Sequence, residues 1–261
     1  MANVRSSRIL TAGRRSAGAG RVGLACLLAL VIGAGPDEKD GFVSLFNGQD
    51  LTGWISPTDD HGHWKVVDGV IDYDARSESK GSKNLVSREE YQDFVLKLDW
   101  RIKETPWINK FIPYILPDGT HARGVDGKEL QLALPDSDSG VYLRDLATGK
   151  SQVNIWCWPI GSGEVYGYRT DPDQPPEVRA GVTPKHQADR PVGEWNTFVI
   201  TLQGERLTVV LNGITVIESA RLPGIPRSGP IALQHHGDFR DGKYVGNPSL
   251  VQFRNISIKR L

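Results

Sequence analysis

The stretch from residue 138 to residue 158 reads DSGVYLR, passes through a turn near residues 147–150, and continues as SQVNIWCW. If both halves are extended, alternate side chains point to opposite faces of a sheet. One face then carries the apolar residues Val141, Leu143, Val153 and Ile155. The other face carries Tyr142, Arg144, Gln152, Asn154 and Trp156. The first set predicts a buried core face.

The second set is unusual for the solvated face of a sheet, which Lys, Glu and Thr commonly fill. Aromatic rings pack against the apolar faces of sugar rings, and amide or guanidinium groups match sugar hydroxyls. This polar face therefore predicts a sugar-binding surface.

Short alternating runs recur along the rest of the chain, and turn residues separate them. The strand predictions are 64–67, 70–73, 94–102, 129–133, 139–143, 152–156, 197–202, 206–211, 214–218, 231–236 and 251–258. The pair Asn212-Gly213 gives the strongest hairpin signal. No window of a dozen residues beyond the N-terminus has helical periodicity, so we predict an all-β antiparallel sandwich or barrel.

Two segments interrupt this pattern, at 105–126 and 161–191, and both contain several prolines and glycines. Loops of this length in a sandwich are commonly functional. We predict that both are loops and that they form walls beside the polar face.

The N-terminus has the order of a secretory signal. Five arginines precede an apolar run at 22–32, and the small residues Gly33, Ala34 and Gly35 follow. The run is short for a membrane span. We predict a signal peptide over 1–35, with an uncleaved anchor as the alternative, and a single domain over 36–261 in a secreted or periplasmic protein.

Removing residues 1–35 takes away five arginines and no acidic residue, so 26 basic groups remain against 31 acidic ones. This balance predicts no nucleic-acid partner, and no membrane contact is expected after signal cleavage. Only Cys157 remains, which excludes an internal disulfide. We expect this cysteine to be buried as a small apolar side chain.

Seven motifs occur in a fixed order along residues 41–261. They are LFNGQDLTGW (45–54), YQDFVLKLDWR (91–101), SGVYLR (139–144), GEWN (193–196), LNG (211–213), LQHHG (233–237) and FRNISIK (253–259). Together they resemble the 3-keto-disaccharide hydrolase domain family. The resemblance implies a concanavalin A-like jelly-roll sandwich of two antiparallel sheets, with a sugar site on the concave sheet.

The resemblance also implies the substrate, an oxidised disaccharide or oligosaccharide with a ketone at C3. The ketone acidifies the proton on C2, so a modest base can remove it and expel the glycosidic oxygen from C1, after which water adds back. This route needs a base, a donor to the ketone oxygen and an acid for the leaving group. It requires no cofactor.

Two features depart from the family pattern. Gln152 stands where the family usually has a glutamate, and a glutamine cannot transfer protons at neutral pH. A segment is also inserted at about 103–136. Either the acid role has moved, with Glu164 as the nearest replacement, or the protein is a carbohydrate-binding module that does not cleave. A structural or partner-binding sandwich is a third possibility.

Two adjacent histidines, His235 and His236, point to opposite faces if their strand continues. Leu233 is expected in the core and Gln234 on the polar face, so His236 shares the face of Gln234. We predict His236 as the base that removes the C2 proton. His235 should point toward the core or the end of the sheet.

Three charged residues lie on other predicted strands. Asp99 and Arg101 alternate with apolar neighbours, and Arg254 lies on the last strand. We predict that Asp99 orients the base or Arg144, and that Arg101 and Arg254 contact sugar oxygens. Cross-strand ion pairs are the alternative for Asp99, Arg101 and Arg254.

The predicted binding set also includes Arg144, Gln152, Asn154 and Gln234, with Tyr142 or Trp156 stacking on a sugar ring. The other tryptophans, namely Trp54, Trp64, Trp100 and Trp195, are expected in the core or at sheet edges. We expect no metal site. His61 with His63, and Asp136 with Asp138, are the nearest approaches to one, but neither pair has a metal-binding motif around it.

Overall fold

A computed structural model describes residues 40–261, so the predicted signal peptide lies outside the described residues. The strands are β1 (Val43–Ser44), β2 (Trp54–Ile55), β3 (Trp64–Val67), β4 (Val70–Tyr73), β5 (Leu85–Tyr91), β6 (Phe94–Ile102), β7 (Trp107–Pro113), β8 (Gln131–Asp136), β9 (Asp138–Leu143), β10 (Gln152–Trp156), β11 (Asn196–Gln203), β12 (Arg206–Leu211), β13 (Ile214–Arg221), β14 (Gly229–Leu233), β15 (Asp238–Arg240), β16 (Lys243–Val245) and β17 (Val251–Arg260). Two short helices, α1 (Tyr166–Arg169) and α2 (Pro176–Gly181), lie between β10 and β11.

Two antiparallel sheets form the body of the fold. The eight-stranded sheet has the order β13-β12-β11-β6-β17-β4-β3, and β1 also pairs with β17. The five-stranded sheet has the order β10-β9-β14-β5-β2. Neighbouring strands are often distant in the chain, since β17 pairs with both β6 and β4 and β14 pairs with both β9 and β5. This arrangement confirms the predicted all-β jelly-roll sandwich.

The core lies between the two sheets, and the alternation of the sequence produces it. On β6 every second side chain is buried, from Phe94 to Ile102. The five-stranded sheet contributes Val141, Leu143 and Val153, which are fully buried as predicted. Each such side chain stabilises the fold by about 1.5–3 kcal/mol through removal of apolar surface from water.

The predicted hairpin at Asn212-Gly213 is confirmed between β12 and β13, where Leu211 pairs with Ile214. Asn212 has φ 53° and Gly213 has φ 83°. A two-residue turn with both φ values positive matches the twist of the flanking strands, and Asn-Gly adopts it most easily.

The segment 105–126 is not the loop that its prolines suggested. Strands β7 and β8 pair with each other, and isolated bridges continue the pairing at Ile115 with His121 and at Arg123 with Glu129. This two-stranded arm, residues 107–136, exposes large apolar side chains such as Phe111. Because some of its apolar side chains face solvent, the arm shows no clear alternation of apolar and polar residues in the sequence. The arm ends at Asp136, and β9 begins at Asp138.

The segment 161–191 contains both helices, so the expectation that it is entirely loop was wrong. The helices span four and six residues, too short to show a helical period in the sequence. Proline at the first position of α2 is favourable because no intrahelical N–H bond is lost there. No helix within residues 40–261 is long and apolar enough to cross a membrane.

Strands β15 and β16 form a small hairpin that interrupts the chain between β14 and β17. Gly237 and Gly246 bracket this hairpin with φ values of 74° and 81°. A Cβ on Gly237 would lie 2.8 Å from the Cα of Pro248, so only glycine fits there. The hairpin thus returns the chain to Asn247 close to the point where it left, just after His236.

Candidate active site

A histidine and a carboxylate meet at one end of the five-stranded sheet, where β9 begins and the chain leaves β14. The Nε2 atom of His236 lies 3.9 Å from Oδ2 of Asp138. The side chain of His236 is 39% exposed and that of Asp138 is 13% exposed. The histidine is therefore accessible to a ligand, while the carboxylate lies below it.

Backbone contacts fix these two residues relative to each other. The ladder between β14 and β9 extends beyond Leu233, because the Gln234 N–H donates to the Gly140 carbonyl at 2.9 Å. The hydroxyl of Ser249 accepts from the His236 N–H at 2.6 Å and donates to the Asp138 carbonyl at 2.7 Å. One serine thus ties both main chains together.

Asn247 orients both groups. Its backbone carbonyl lies 2.9 Å from Nδ1 of His236. A carbonyl only accepts, so Nδ1 carries the proton and Nε2 presents its lone pair. The side-chain Nδ2 of Asn247 donates to Oδ2 of Asp138 at 3.1 Å and to Oδ2 of Asp136 at 3.2 Å. A single residue therefore sets the tautomer of the histidine and the position of the carboxylate.

Burial raises the pKa of Asp138 to about 7, against the opposing effect of His236 and with a smaller contribution from the charge of Asp136. An ordinary aspartate is fully ionised at neutral pH. A carboxyl group with this pKa exchanges protons near neutrality, which is the property required of a general acid or base.

Asp136, the last residue of the arm, accepts three hydrogen bonds at Oδ2. The donors are Asn109 at 2.9 Å, the indole N–H of Trp158 at 3.1 Å and Asn247 at 3.2 Å. These neutral donors hold the carboxylate without neutralising its charge. Because Asn109 belongs to β7, the contact also fastens the arm to the site.

A row of amides and a hydroxyl extends across the polar face. Gln152 Nε2 donates to Gln234 Oε1 and, at 3.1 Å, to the Ser139 carbonyl. Gln234 Nε2 donates to the hydroxyl of Tyr142 at 3.3 Å. Gln152 and Gln234 are buried, whereas Tyr142 is half-buried. The two glutamines therefore support Tyr142, which is the accessible end of the row.

The segment 161–164 covers the outer part of β10. The Asn154 N–H donates to the Glu164 carbonyl at 2.9 Å, and the Gly163 N–H donates to the Asn154 carbonyl at 2.8 Å. Asn154 is 4% exposed as a result. Trp156 is buried, donates its indole N–H to Gly161 and stacks on Trp158 with ring centroids 4.1 Å apart. The open stacking surface predicted for Trp156 is wrong, because Trp158 covers that ring.

Glu164, predicted as a replacement acid, is fully buried and forms an ion pair with Arg169 of α1. Arg169 also donates toward Nε2 of His121, 3.0 Å away, on the arm. These contacts place Glu164 in the packing between α1 and the arm rather than beside His236.

Arg144 does not lie on the polar face, so that prediction was wrong. Its φ is 63°, which ends the strand alternation at Leu143. The guanidinium is buried, pairs with Asp93 at 3.0 Å and donates to the Gly204 carbonyl at 3.0 Å. Burial lowers the pKa of Arg144. Its contacts join the end of β9 to the turn before β6 and to the turn between β11 and β12.

Asp99, Arg101 and Arg254 belong to β6 and β17 of the eight-stranded sheet, not to the sheet that carries His236. Asp99 accepts from Thr197 at 2.7 Å and from Arg254 at 3.3 Å. The guanidinium groups of Arg101 and Arg254 lie 4.7 and 4.0 Å from the Trp195 ring centroid. The alternative of a cross-strand ion pair is therefore correct for Asp99 and Arg254.

His235 points away from His236, as alternation predicts. Its Nδ1 lies 2.6 Å from the hydroxyl of Tyr73, a core residue. Burial, with a smaller effect of Lys83, lowers the pKa of His235 to about 4. This histidine is thus a neutral hydrogen-bonding residue of the interior.

Sequence reasoning missed three residues of the site. Asp138 precedes Tyr142 by four positions on the same strand, so the alternation rule could have placed it on the polar face. Trp158 follows the buried Trp156 by two positions. No sequence pattern pointed to Asn247, because only the return of the chain through the β15–β16 hairpin brings this residue to His236.

Within residues 40–261, no group of three or more His, Cys, Asp or Glu side chains is placed to hold a metal ion. His61 and His63, the two loop histidines considered above as metal ligands, each pair with one carboxylate. His61 lies 3.2 Å from Glu78, and His63 lies 2.9 Å from Asp74.

The family model described as the 3-keto-alpha-glucoside-1,2-lyase-like domain matches residues 41–259. The fold is similar to two structures of candidate glycosyl hydrolases from Parabacteroides distasonis. One is 21% identical with a TM-score of 0.53, covering 85% of this chain and 84% of that chain. The other is 20% identical with a TM-score of 0.52, covering 86% and 95%. No curated protein sequence matches.

Proposed function

We propose that this chain, which belongs to the 3-keto-alpha-glucoside-1,2-lyase-like domain family, cleaves glycosides already oxidised to a ketone at C3. Membership of that family supports a sugar-processing function. The observation that carries the finer proposal is the pair of His236 Nε2 and Asp138 Oδ2, which are 3.9 Å apart at the ends of β14 and β9, with the histidine accessible. At this distance the two groups are not hydrogen-bonded, so each is free to exchange a proton with a substrate.

His236 is the base in this proposal. Its Nε2 takes the proton from C2, and the electrons of that bond form an enolate with the C3 ketone. The enolate then collapses, a double bond forms between C1 and C2, and the bond from C1 to the glycosidic oxygen breaks. The hydrogen bond from Nδ1 to the Asn247 carbonyl supports the imidazolium that forms.

Asp138 is the acid. Its raised pKa of about 7 leaves a useful protonated fraction at neutral pH, and that proton passes to the departing oxygen. Water then adds across the double bond, with its hydroxyl on C1 and a proton returned to C2. Asp138 thereby takes the acid role that Gln152 cannot fill, and Glu164 is not needed.

Tyr142 is the donor to the ketone oxygen and to the enolate that follows. Its hydroxyl accepts from Gln234, so its own proton remains free to donate. Burial raises the pKa of Tyr142, which keeps the hydroxyl protonated. A preorganised donor of this kind stabilises developing negative charge without reorganisation.

The test is cleavage of 3-keto-trehalose by the His236→Ala variant. Loss of the base should lower kcat by about 10²- to 10⁴-fold. His63→Ala is the matched control, because His63 also pairs with an aspartate but lies outside the site. Equal rates for wild type and His236→Ala, with both folded by circular dichroism, would remove His236 from the mechanism.

A second candidate function is a sugar-binding module without catalysis. The buried amide pair of Gln152 and Gln234, where the family usually has a glutamate, favours it. This function predicts that 3-keto-trehalose binds with no product after long incubation, and that His236→Ala binds without turnover just as the wild type does.

We also propose that the protein is exported, on the basis of the arginine-rich and apolar segment at 1–35. Expression of the full chain should give a secreted or periplasmic product whose N-terminus lies near residue 36. An intact N-terminus in the membrane fraction would instead identify an anchor.

A further inference from the structure

One buried carboxylate at the site takes no part in the proposed mechanism. Asp136, the last residue of the arm, is fully buried. Its Oδ2 accepts from Asn109, Trp158 and Asn247 at 2.9–3.2 Å, and its Oδ1 has no partner among residues 40–261. Burying a carboxylate with only neutral donors around it costs stability, so its presence indicates a functional reason.

The hydrogen bonds of Asp136 identify it as a carboxylate rather than a carboxylic acid. Three N–H groups converge on one oxygen, and an N–H group can only donate. A protonated carboxyl group would need an acceptor for its own hydrogen, and neither oxygen has one within residues 40–261. Hydrogen bonds donated to the charged form favour that form. Asp136 is therefore a fixed negative charge away from water, where charges act strongly on their neighbours.

Asp138 lies within reach of this charge. The Nδ2 atom of Asn247 donates to Oδ2 of both carboxylates, at 3.2 Å to Asp136 and 3.1 Å to Asp138. Because both bonds end on one nitrogen, the two oxygens lie within about 6.5 Å of each other. A like charge at this separation disfavours ionisation. Burial raises the pKa of Asp138 to about 7, and the charge of Asp136 adds to that effect while His236 opposes it.

The other titratable groups around the two carboxylates do not compensate this charge. Tyr142 on β9 and Cys157 after β10 are neutral, since burial raises the pKa of both, to about 12 for the thiol. Asp189, in the segment 161–191, also acts on Cys157 and can only add negative charge. No lysine or arginine among residues 40–261 forms an ion pair with either carboxylate, and His236 is the one basic group that contacts the pair.

We propose that Asp136 is a positioning residue for the proposed reaction: its fixed negative charge keeps the transferable proton on Asp138, and its hydrogen bond holds Asn247 between the acid and the base. This role rests on the proposed function, because a general acid must hold its proton until the glycosidic oxygen departs. Asp136 is fully buried, so it acts only through Asp138 and Asn247. The arm thereby gains a role in catalysis, since Asp136 ends β8 and its donor Asn109 belongs to β7.

The test variant is Asp136→Asn, which removes the charge and keeps the shape. The carbonyl oxygen of the new amide can still accept from the same three donors. ¹³C NMR of the Asp138 carboxyl carbon follows the titration of this group in the free protein. The midpoint, about 7 in the wild type, should fall by about one pH unit in Asp136→Asn. Asp99→Asn removes a charge on the other sheet and is the matched control, with a shift of less than about 0.2 units.

Kinetics test the same role in catalysis. The alkaline limb of the kcat/KM profile for 3-keto-trehalose should move to lower pH by the same amount in Asp136→Asn, because Asp138 loses its proton sooner. An unchanged midpoint in folded Asp136→Asn means that Asp136 is only structural, and the proposal is then wrong. A shifted midpoint with an unmoved limb would remove Asp138 as the acid and the catalytic role of Asp136 with it.

Absence of any cleavage by the wild type would instead overturn the proposed function. The NMR titration then decides by itself whether Asp136 holds the proton on Asp138, because it needs no substrate.

The wild type also provides a test that needs no variant. At pH 7 the carboxyl carbon of Asp136 should have the chemical shift of a carboxylate. It should stay ionised while Asp138 takes up its proton between about pH 8 and pH 6. A protonated Asp136 at pH 7 would overturn the proposal even if Asp136→Asn failed to fold.

Discussion

The outer faces of the two sheets carry the same kinds of side chain, arranged for different purposes. On the eight-stranded sheet, Asp99 has Arg254 at 3.3 Å and Asn255 at 2.8 Å, so its charge is matched. On the five-stranded sheet, Asp138 at the start of β9 lies beside Asp136 at the end of the arm, and the two carboxylates face only neutral amide and indole donors and a histidine.

The difference shows that residue type does not identify a site, because carboxylates, amides and a tryptophan occur on both faces. A matched ion pair at a surface adds little stability and has no proton to exchange. Two largely buried carboxylates beside each other are costly to the fold, and burial, with a smaller effect of the Asp136 charge, raises the pKa of Asp138. Such a cost is typical of functional sites.

The largest expected effect is on catalysis. Asp138→Asn removes the acid but keeps the shape, so kcat for 3-keto-trehalose should fall about 10²- to 10⁴-fold. Asp99→Asn makes the same chemical change on the other sheet and should alter kcat less than about 2-fold. Similar losses of kcat in the two variants would show that the two faces do not differ in catalytic role.

Wild-type activity should also decline as pH rises through about 7, the pKa of Asp138.

The next effect is on stability and its dependence on pH. The pKa of Asp138 rises from an ordinary 3.8 to about 7 on folding, so between these values the folded state holds a proton that the unfolded chain releases. Stability therefore falls as pH rises through this window. Relative to wild type, Asp138→Asn should gain a few kcal/mol in free energy of unfolding between about pH 4 and pH 8. Parallel curves from urea titrations would contradict this.

A smaller effect is expected from the support of Tyr142. A Cβ at position 140 would lie 2.8 Å from the Val153 carbonyl and still closer to the Gln152 amide. Gly140→Ala should therefore destabilise the protein by about 1–3 kcal/mol. Gly81→Ala is the control, because nothing lies within 4 Å of its Cβ position. Thermal unfolding measures the stability of both variants. Equal midpoints would show that the side chains of the amide row shift to accommodate the added methyl group without cost.

The smallest effect is expected on the eight-stranded sheet. Asp99 and Arg254 have side chains that are 16% and 38% exposed. Replacing Asp99 by Asn should cost less than about 1 kcal/mol, as for other surface ion pairs. Urea unfolding measures this change in stability, and a loss of several kcal/mol would show that the ion pair contributes strongly to the stability of the fold.

Much of the fold could be predicted from the sequence because alternation and turn residues act locally. The bounds of β3, β4, β6, β10 and β12 agree with prediction to the residue. The short strands β1 and β2, the polar stretch of β5, strand β7 and the β15–β16 hairpin were missed, because none shows a buried alternating face, whereas the strand predicted at 129–133 overlaps β8. Family motifs supplied the jelly roll, which periodicity alone left open between a sandwich and a barrel.

The site could be predicted only where side chains follow the strand. Tyr142, Gln152 and Gln234 meet on one face because their strands pair in register. The prediction for Arg144 was wrong because its backbone turns at the strand end. The prediction for Asp99 was wrong because its strand belongs to the other sheet. Neither the sheet that a strand joins nor the return of a hairpin is written in a local pattern.

The hairpin β15–β16 leaves the site after His236 and re-enters it at Asn247, with a glycine at each end. Its tip at Asp241 and Gly242 is exposed. Residues added or lost at that tip would not displace either neighbour of Asp138. Evolution can therefore vary the length of this segment, and an engineer can insert a reporter peptide there, while the chemistry beneath it stays intact.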